Sequence, residues 1–186
     1  MEHDLYVTGI GGQGIQLVCK TLGLAATHEG RQVMISSEYG GAMRGGSSRA
    51  TVVIGDGPLN ALPVIPSAGA AIALHTLEWT YVARRLRPGA LIVCEARLTG
   101  ELADTASHRL VPVDANALAK QAGSTMAAGM VLLGAYNALT RLVAPESLVE
   151  AMKQQIPAYR AQHVATNAKA LALGHEAGLA LLEAAR

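Results

Sequence analysis

Two short segments gather the residues whose types and spacing could do chemistry. The first is Gly9-Ile10-Gly11-Gly12-Gln13-Gly14, a G-x-G-x-x-G pattern between a strand-like run and a helical one. Glycines let the backbone turn tightly there, and unpaired N–H groups at the helix start can face an anion. A dinucleotide site of this kind also needs an acid about 20 residues on, for the ribose hydroxyls. Glu38, just past the second strand-like run, is the candidate. The same turn serves equally well to pack helix on strand, or to face a partner or ligand from another chain. It is not a Walker A loop, because no Lys follows in the required place.

The second segment is Tyr39-Gly40-Gly41-Ala42-Met43-Arg44-Gly45-Gly46-Ser47-Ser48-Arg49. Backbone N–H groups of Gly45, Gly46 and Ser47 can form an anion nest, and the Arg44 guanidinium can grip phosphate or carboxylate bidentately. The plainer reading is a surface loop whose arginines are solvated or salt-bridged. The six histidines show no metal-ligand spacing, and neither G-x-S-x-G nor H-E-x-x-H is present. Glu78, Glu95 and Asp114 stand singly and read as caps, surface charges or ion-pair partners. No metal ligands and no catalytic residues are assigned. Cys19 and Cys94 sit in apolar runs and read as small buried hydrophobes. An iron–sulfur cluster uses four thiolates, so this chain cannot hold one alone.

The elements that must position these segments alternate. Residues 4–9 read as a strand, 12–29 as a helix closed by Gly30, and 32–36 as a second strand. The glycine-rich segment that follows is too short for a crossover helix. The strand at 50–55 is therefore expected to run antiparallel to its neighbour, since parallel pairs need a dozen or more connecting residues. Residues 70–74 and 90–95 read as buried strands. A helix is expected over 77–86, a turn at Pro88-Gly89 and a last strand at 110–113. Beyond that the chain is alanine-rich and helical. Asp114 caps a helix to Gln121, Ser124 or Thr125 caps one to about Leu142, Pro145 starts another, and a last one runs from Ala158 to Ala177. The expected fold is one α/β domain over 1–186: doubly wound, Rossmann-like, with a mostly parallel sheet, helices on both faces and a helical C-terminal part.

Composition narrows the function classes. Hydrophobic residues make up 51% of the 186 and charged residues 16%, against roughly 25% charged in a typical domain. That excludes intrinsic disorder and suggests an exterior partly covered by partners. A net charge of +1 speaks against a nucleic-acid partner, which would demand a basic excess. Aromatics at 3% leave no stacking platform. No apolar run is long enough for a membrane span, and the acidic start, Met1-Glu2-His3-Asp4, is unlike a signal peptide. A cytoplasmic location is expected.

Taken together, VTGIGGQGIQLVCKTLGLAA and EYGGAMRGGSSRATVVIGD resemble the gamma subunit, or gamma domain, of 2-oxoacid:ferredoxin oxidoreductases. These are the pyruvate, 2-oxoisovalerate, 2-oxoglutarate, indolepyruvate and phenylglyoxylate enzymes. The G-x-G-G-Q-G turn is the most specific element. The Y-G-x-x-x-R-G-G-x-S motif matches at Tyr39, Gly40, Arg44, Gly45, Gly46 and Ser48. ALHTLEWTYVARRLRPGALIVCEA, MVLLGAYNAL and HVATNAKALALG are similar to later parts of the family, so the likeness is nearly full length. One departure stands out: many members carry V-R-I in the strand after the second motif, where this chain reads Val52-Val53-Ile54.

The resemblance implies a subunit of a multi-subunit enzyme that oxidatively decarboxylates a 2-oxoacid to an acyl-CoA. It implies thiamine diphosphate with Mg in sister alpha and beta subunits, and iron–sulfur clusters in a ferredoxin-like subunit or domain. A flavin subunit is added where NAD is the acceptor. This chain alone would bind none of these groups. Its implied task is to shape the subunit interface and the approach of coenzyme A or substrate through Gly9, Gly11, Gly12, Gln13, Gly14, Tyr39, Arg44, Gly45, Gly46 and Ser47. The competing expectation is a free-standing Rossmann-type NAD(P)-dependent oxidoreductase or binding protein.

Overall fold

The computed structural model describes residues 2–39, 45–59 and 65–184. Six strands form one sheet: β1 (Glu2–Ile10), β2 (Gln32–Tyr39), β3 (Ser47–Gly55), β4 (Ala68–Ala73), β5 (Leu86–Glu95) and β6 (Arg109–Val113). Their order is β2-β3-β1-β4-β5-β6. β1, β4, β5 and β6 run parallel, and β3 lies antiparallel between β1 and β2. Too few residues join β2 to β3 for a crossover, so the two form an antiparallel ladder, as expected from the loop length.

The helices are α1 (Ile15–His28), α2 (Trp79–Ala83), α3 (Ala115–Ala122), α4 (Ala128–Thr140), α5 (Pro145–Gln155) and α6 (Val164–Ala184). Alternation along β1 assigns the two faces of the sheet. Leu5 and Val7 point into a large core with α1, α3, α4, α5 and α6. Tyr6 points into a smaller one with Trp79, Val82 and Leu102. α4 is apolar on all sides and buried from Ala128 to Ala138, as befits a helix enclosed by its neighbours. Gly174 lets α6 approach it, because a Cβ there would overlap the Val131 carbonyl.

Caps fall where their residue types suggest. The Asp114 side chain accepts from Ala117 N at 3.2 Å and opens α3. Ser124 accepts from Met126 N and opens a 3-10 turn leading into α4. Pro145 is the first residue of α5.

Several boundaries differ from expectation. α2 ends at Ala83 rather than 86, and β5 already begins at Leu86. The Pro88-Gly89 pair is therefore not a turn before the strand but a bulge within it, where the register to β4 slips between Ala68 and Ala70. Pro cannot donate to a ladder, which localises the irregularity there. The last helix starts at Val164, preceded by a 3-10 segment, Ala158–His163, kinked at Arg160.

Candidate functional site

The turn after β1 is built by its own residues. Gly14 caps α1 in the left-handed conformation, φ 75°, which favours glycine, and no side chain caps the helix there. Gln13 braces the turn from within: its Oε1 accepts from Ile10 N at 2.9 Å and its Nε2 donates to Leu74 O at 3.2 Å, at the end of β4. Both ends of that amide are thus engaged inside the protein. Gly12 and Gly14 face outward, onto a cavity of about 420 Å³.

The two motifs, far apart in sequence, form one surface. Gly9 pairs with Ser48 and Ile10 with Ser47 across β1 and β3. Gly11 N donates to Gly46 O at 2.9 Å, beyond the end of the ladder. Tyr39 stands opposite Ser48 on the far side of β3, and Gly45 is exposed beside them. Arg44 and Gly40 lie outside the described residues.

Beside this surface sits an ion-pair cluster that no local motif announces. Arg49 pairs with both Glu38 and Glu78. Its guanidinium lies 3.5 Å from the Tyr81 ring centroid, and Arg85 lies 3.6 Å from the same centroid. Burial opposes the charge on Arg49, but Glu78 and Glu38 outweigh it and hold the guanidinium above its ordinary pKa. Tyr6 packs edge-on to Tyr81 and donates to Ile65 O at 3.0 Å. Burial pushes its hydroxyl up to about 12. Of the two arginine readings open at the motif, salt-bridging is the one that applies to Arg49. Glu78 is an ion-pair partner, and Glu95 accepts from Asn116 N at 3.0 Å at the start of α3.

This geometry removes the free-standing dinucleotide reading. Glu38 is taken up by Arg49 rather than left for a ribose. With β3 inserted, the end of β2 stands two strands from the glycine turn, roughly 10 Å at the usual strand spacing instead of 5 Å.

The cavity against Gly12 and Gly14 gathers residues that sequence reasoning missed. Lys20 stands on α1, Arg160 and His163 on the 3-10 segment, and Thr166 and Asn167 on α6. They are distant in sequence and belong to no pattern; only the packing of the last helix brings them together. The cysteines belong to opposite faces of the sheet, Cys19 in the large core and Cys94 in the smaller one. Burial raises both thiol pKa values, that of Cys94 to about 11. Lying on opposite faces of the sheet, they cannot share one ligand. Among the described residues no three His, Cys, Asp or Glu side chains converge on a point where a metal could sit.

A family model described as pyruvate ferredoxin/flavodoxin oxidoreductase matches residues 4–177. A 2-oxoglutarate synthase subunit, KorC, of Methanothermobacter thermautotrophicus is 33% identical over 165 residues, covering 84% of this chain and 86% of that protein. An indolepyruvate oxidoreductase subunit, IorB, of Archaeoglobus fulgidus is 29% identical over 197 residues, covering 94% of each. The crystal structure of a keto/oxoacid ferredoxin oxidoreductase gamma subunit from Geobacter sulfurreducens superposes with a TM-score of 0.82 at 28% identity, over 97% of this chain and 98% of that one. With the family model spanning residues 4–177 and KorC 33% identical over 84% of the sequence, the chain belongs to the pyruvate ferredoxin/flavodoxin oxidoreductase family.

Proposed function

We infer that this chain works as the gamma subunit of a 2-oxoacid:ferredoxin oxidoreductase complex, which converts a 2-oxoacid to an acyl-CoA. Relatives of the same length carry the names of such subunits. Thiamine diphosphate, bound with Mg in alpha and beta subunits, would supply the carbanion chemistry, and iron–sulfur clusters in a ferredoxin-like subunit would take the electrons. The residues of this chain do not fit an iron–sulfur cluster. Its full sequence has two cysteines, which the fold places on opposite faces of the sheet. We place the complex in the cytoplasm, in keeping with the absence of any helix among the described residues long and apolar enough to cross a membrane.

Within that complex the chain acts by shape. The surface made by Gly9–Gly14 and Gly45–Ser48 offers backbone rather than side chains, so another chain or a ligand can approach closely. Gln13 holds it from inside and the Arg49 cluster holds it from beside. Leu77, Met126 and Tyr159 are 54%, 66% and 75% exposed. Apolar side chains that open to water are what a subunit interface covers. The observation that carries this reading is the Gly11–Gly46 hydrogen bond, which makes one surface of two motifs.

Anaerobic purification of the tagged chain from its own organism, with mass spectrometry of co-eluting proteins, tests it. Thiamine-binding subunits and an iron–sulfur protein are expected. A chain that elutes alone overturns the reading.

A further inference from the structure

We propose that the outer edge of β2 pairs with the same edge of a second copy of this chain, antiparallel across a two-fold axis, so that two sheets become one. β2 ends the strand order, with β3 on its inner side and no described strand on its outer side. An edge of this kind presents backbone N–H and C=O groups to any strand that can lie beside it. The two edges of the sheet are built differently. β6, at the far edge, is five residues long, begins with Arg109 and carries Pro112, the devices that keep an edge from pairing. β2 is eight residues long and has none of them: no Pro, no Lys or Arg, and no break in register against β3. Burial points the same way. Val52, Val53 and Ile54 on β3 are buried, whereas Ile35, Met34 and Val33 opposite them are only half-buried. Three successive apolar residues put apolar surface on both faces of the strand, and a further strand would cover it on both.

The strand is also complementary to itself, which favours a second copy over a strand of another protein. A two-fold axis perpendicular to the sheet keeps like faces together, so odd residues oppose odd ones and even residues oppose even ones. With Ile35 on the axis, it meets Ile35 of the second copy. Val33 then meets Ser37, Met34 meets Ser36, and Gln32 meets Glu38. No like charges oppose one another. Glu38 is the strand's one charge; it pairs with Arg49 yet stays half exposed, so it can accept from the Gln32 amide across the axis. With Ser36 on the axis instead, that carboxylate would face the Met34 thioether.

The proposal does not rest on the sister-subunit reading. The test uses the full chain, purified natively with whatever partners it holds, in the single variants Ile35→Cys and Gln32→Cys. Cys19 and Cys94 are buried, so the unaltered chain serves as the blank. Mild oxidation with copper phenanthroline is followed by mass spectrometry of the linked peptides. A disulfide joining position 35 to position 35 is expected, and such a bond can only connect two copies. Position 32 of one copy stands roughly 20 Å from position 32 of the other at the usual strand rise. Gln32→Cys, although the more exposed, should therefore link about tenfold more slowly. Where Ile35→Cys lowers the melting temperature, Ser36→Cys with a short bismaleimide takes its place, since position 36 lies on the diagonal to its own copy, about 7–8 Å away. Position 32 linking as fast as position 35 or 36 would mean random collision and overturns the proposal. So does the absence of a link between copies at both 35 and 36, or a link from either to a different protein. That last result would leave the sister-subunit reading standing, and a chain that copurifies with nothing leaves this test intact.

Discussion

The Arg49 guanidinium rests 3.5 Å from the centre of the Tyr81 ring while it pairs with Glu78, the residue immediately before α2. One side chain on β3 thereby fixes the loop after β4 and, through Glu38, the end of β2. The Arg49 side chain is 15% exposed and that of Glu78 18%, so removing one partner strands a part-buried charge and costs more than breaking an exposed pair.

Arg49→Ala leaves Glu78 unpaired in a part-buried place and removes the stacking on Tyr81. A loss of about 1–3 kcal/mol in urea unfolding is expected. Arg49→Lys should recover only part, because an ammonium cannot serve two carboxylates and a ring face as a planar guanidinium does. Full recovery by Lys would mean that charge alone is at work.

Arg44→Ala is expected to raise the apparent KM for coenzyme A, or to weaken assembly, by roughly tenfold, the value of one charge-assisted contact. Steady-state kinetics and size-exclusion chromatography of the complex check this. Unchanged kinetics with intact assembly would remove Arg44 from the functional surface.

Gly174→Ala places a methyl group against the Val131 carbonyl, a backbone atom that cannot swing away. A loss of about 1–3 kcal/mol is expected from the separation of α6 and α4. Gly100→Ala, with open space around it, should shift the melting temperature by no more than a degree or two. Thermal melts of both variants read the contrast.

Alkaline solution should weaken the fold through Cys94. Burial, with Glu95 beside it, raises the thiol from 9.0 to about 11. Between those values the unfolded chain releases a proton that the folded chain keeps. Stability is therefore complete below pH 9 and declines up to about pH 11, by on the order of 2–3 kcal/mol. Cys94→Ala should flatten that part of the curve, once allowance is made for Cys19, which burial shifts in the same direction. An unchanged slope in the variant would assign the decline to other groups.

The strands and helices were largely legible because their apolar runs and caps are local. Val52–Ile54 reads as a buried strand, Asp114 as a cap and Pro145 as a helix start. The antiparallel β3 followed from a loop too short to cross the sheet. The bulge at Pro88-Gly89 was not legible, because the pair fits an ordinary turn until β4 imposes its register. Nor could spacing bring Lys20 together with Arg160 and His163, or Arg49 with Tyr81 and Arg85. Those meetings depend on how whole elements pack. The glycine turn was visible as a pattern, while the inward task of Gln13 depends on where β4 ends.

The bond from Gly11 N to Gly46 O gives the surface a built-in gauge. It is a single amide proton, set just past the last paired residues of β1, and its exchange requires only that the two loops part. Its exchange rate therefore reports the free energy of loop separation directly, without global unfolding. A partner or ligand that seats across both loops would slow that proton, whereas one that touches only the helical face of the molecule would leave it unchanged.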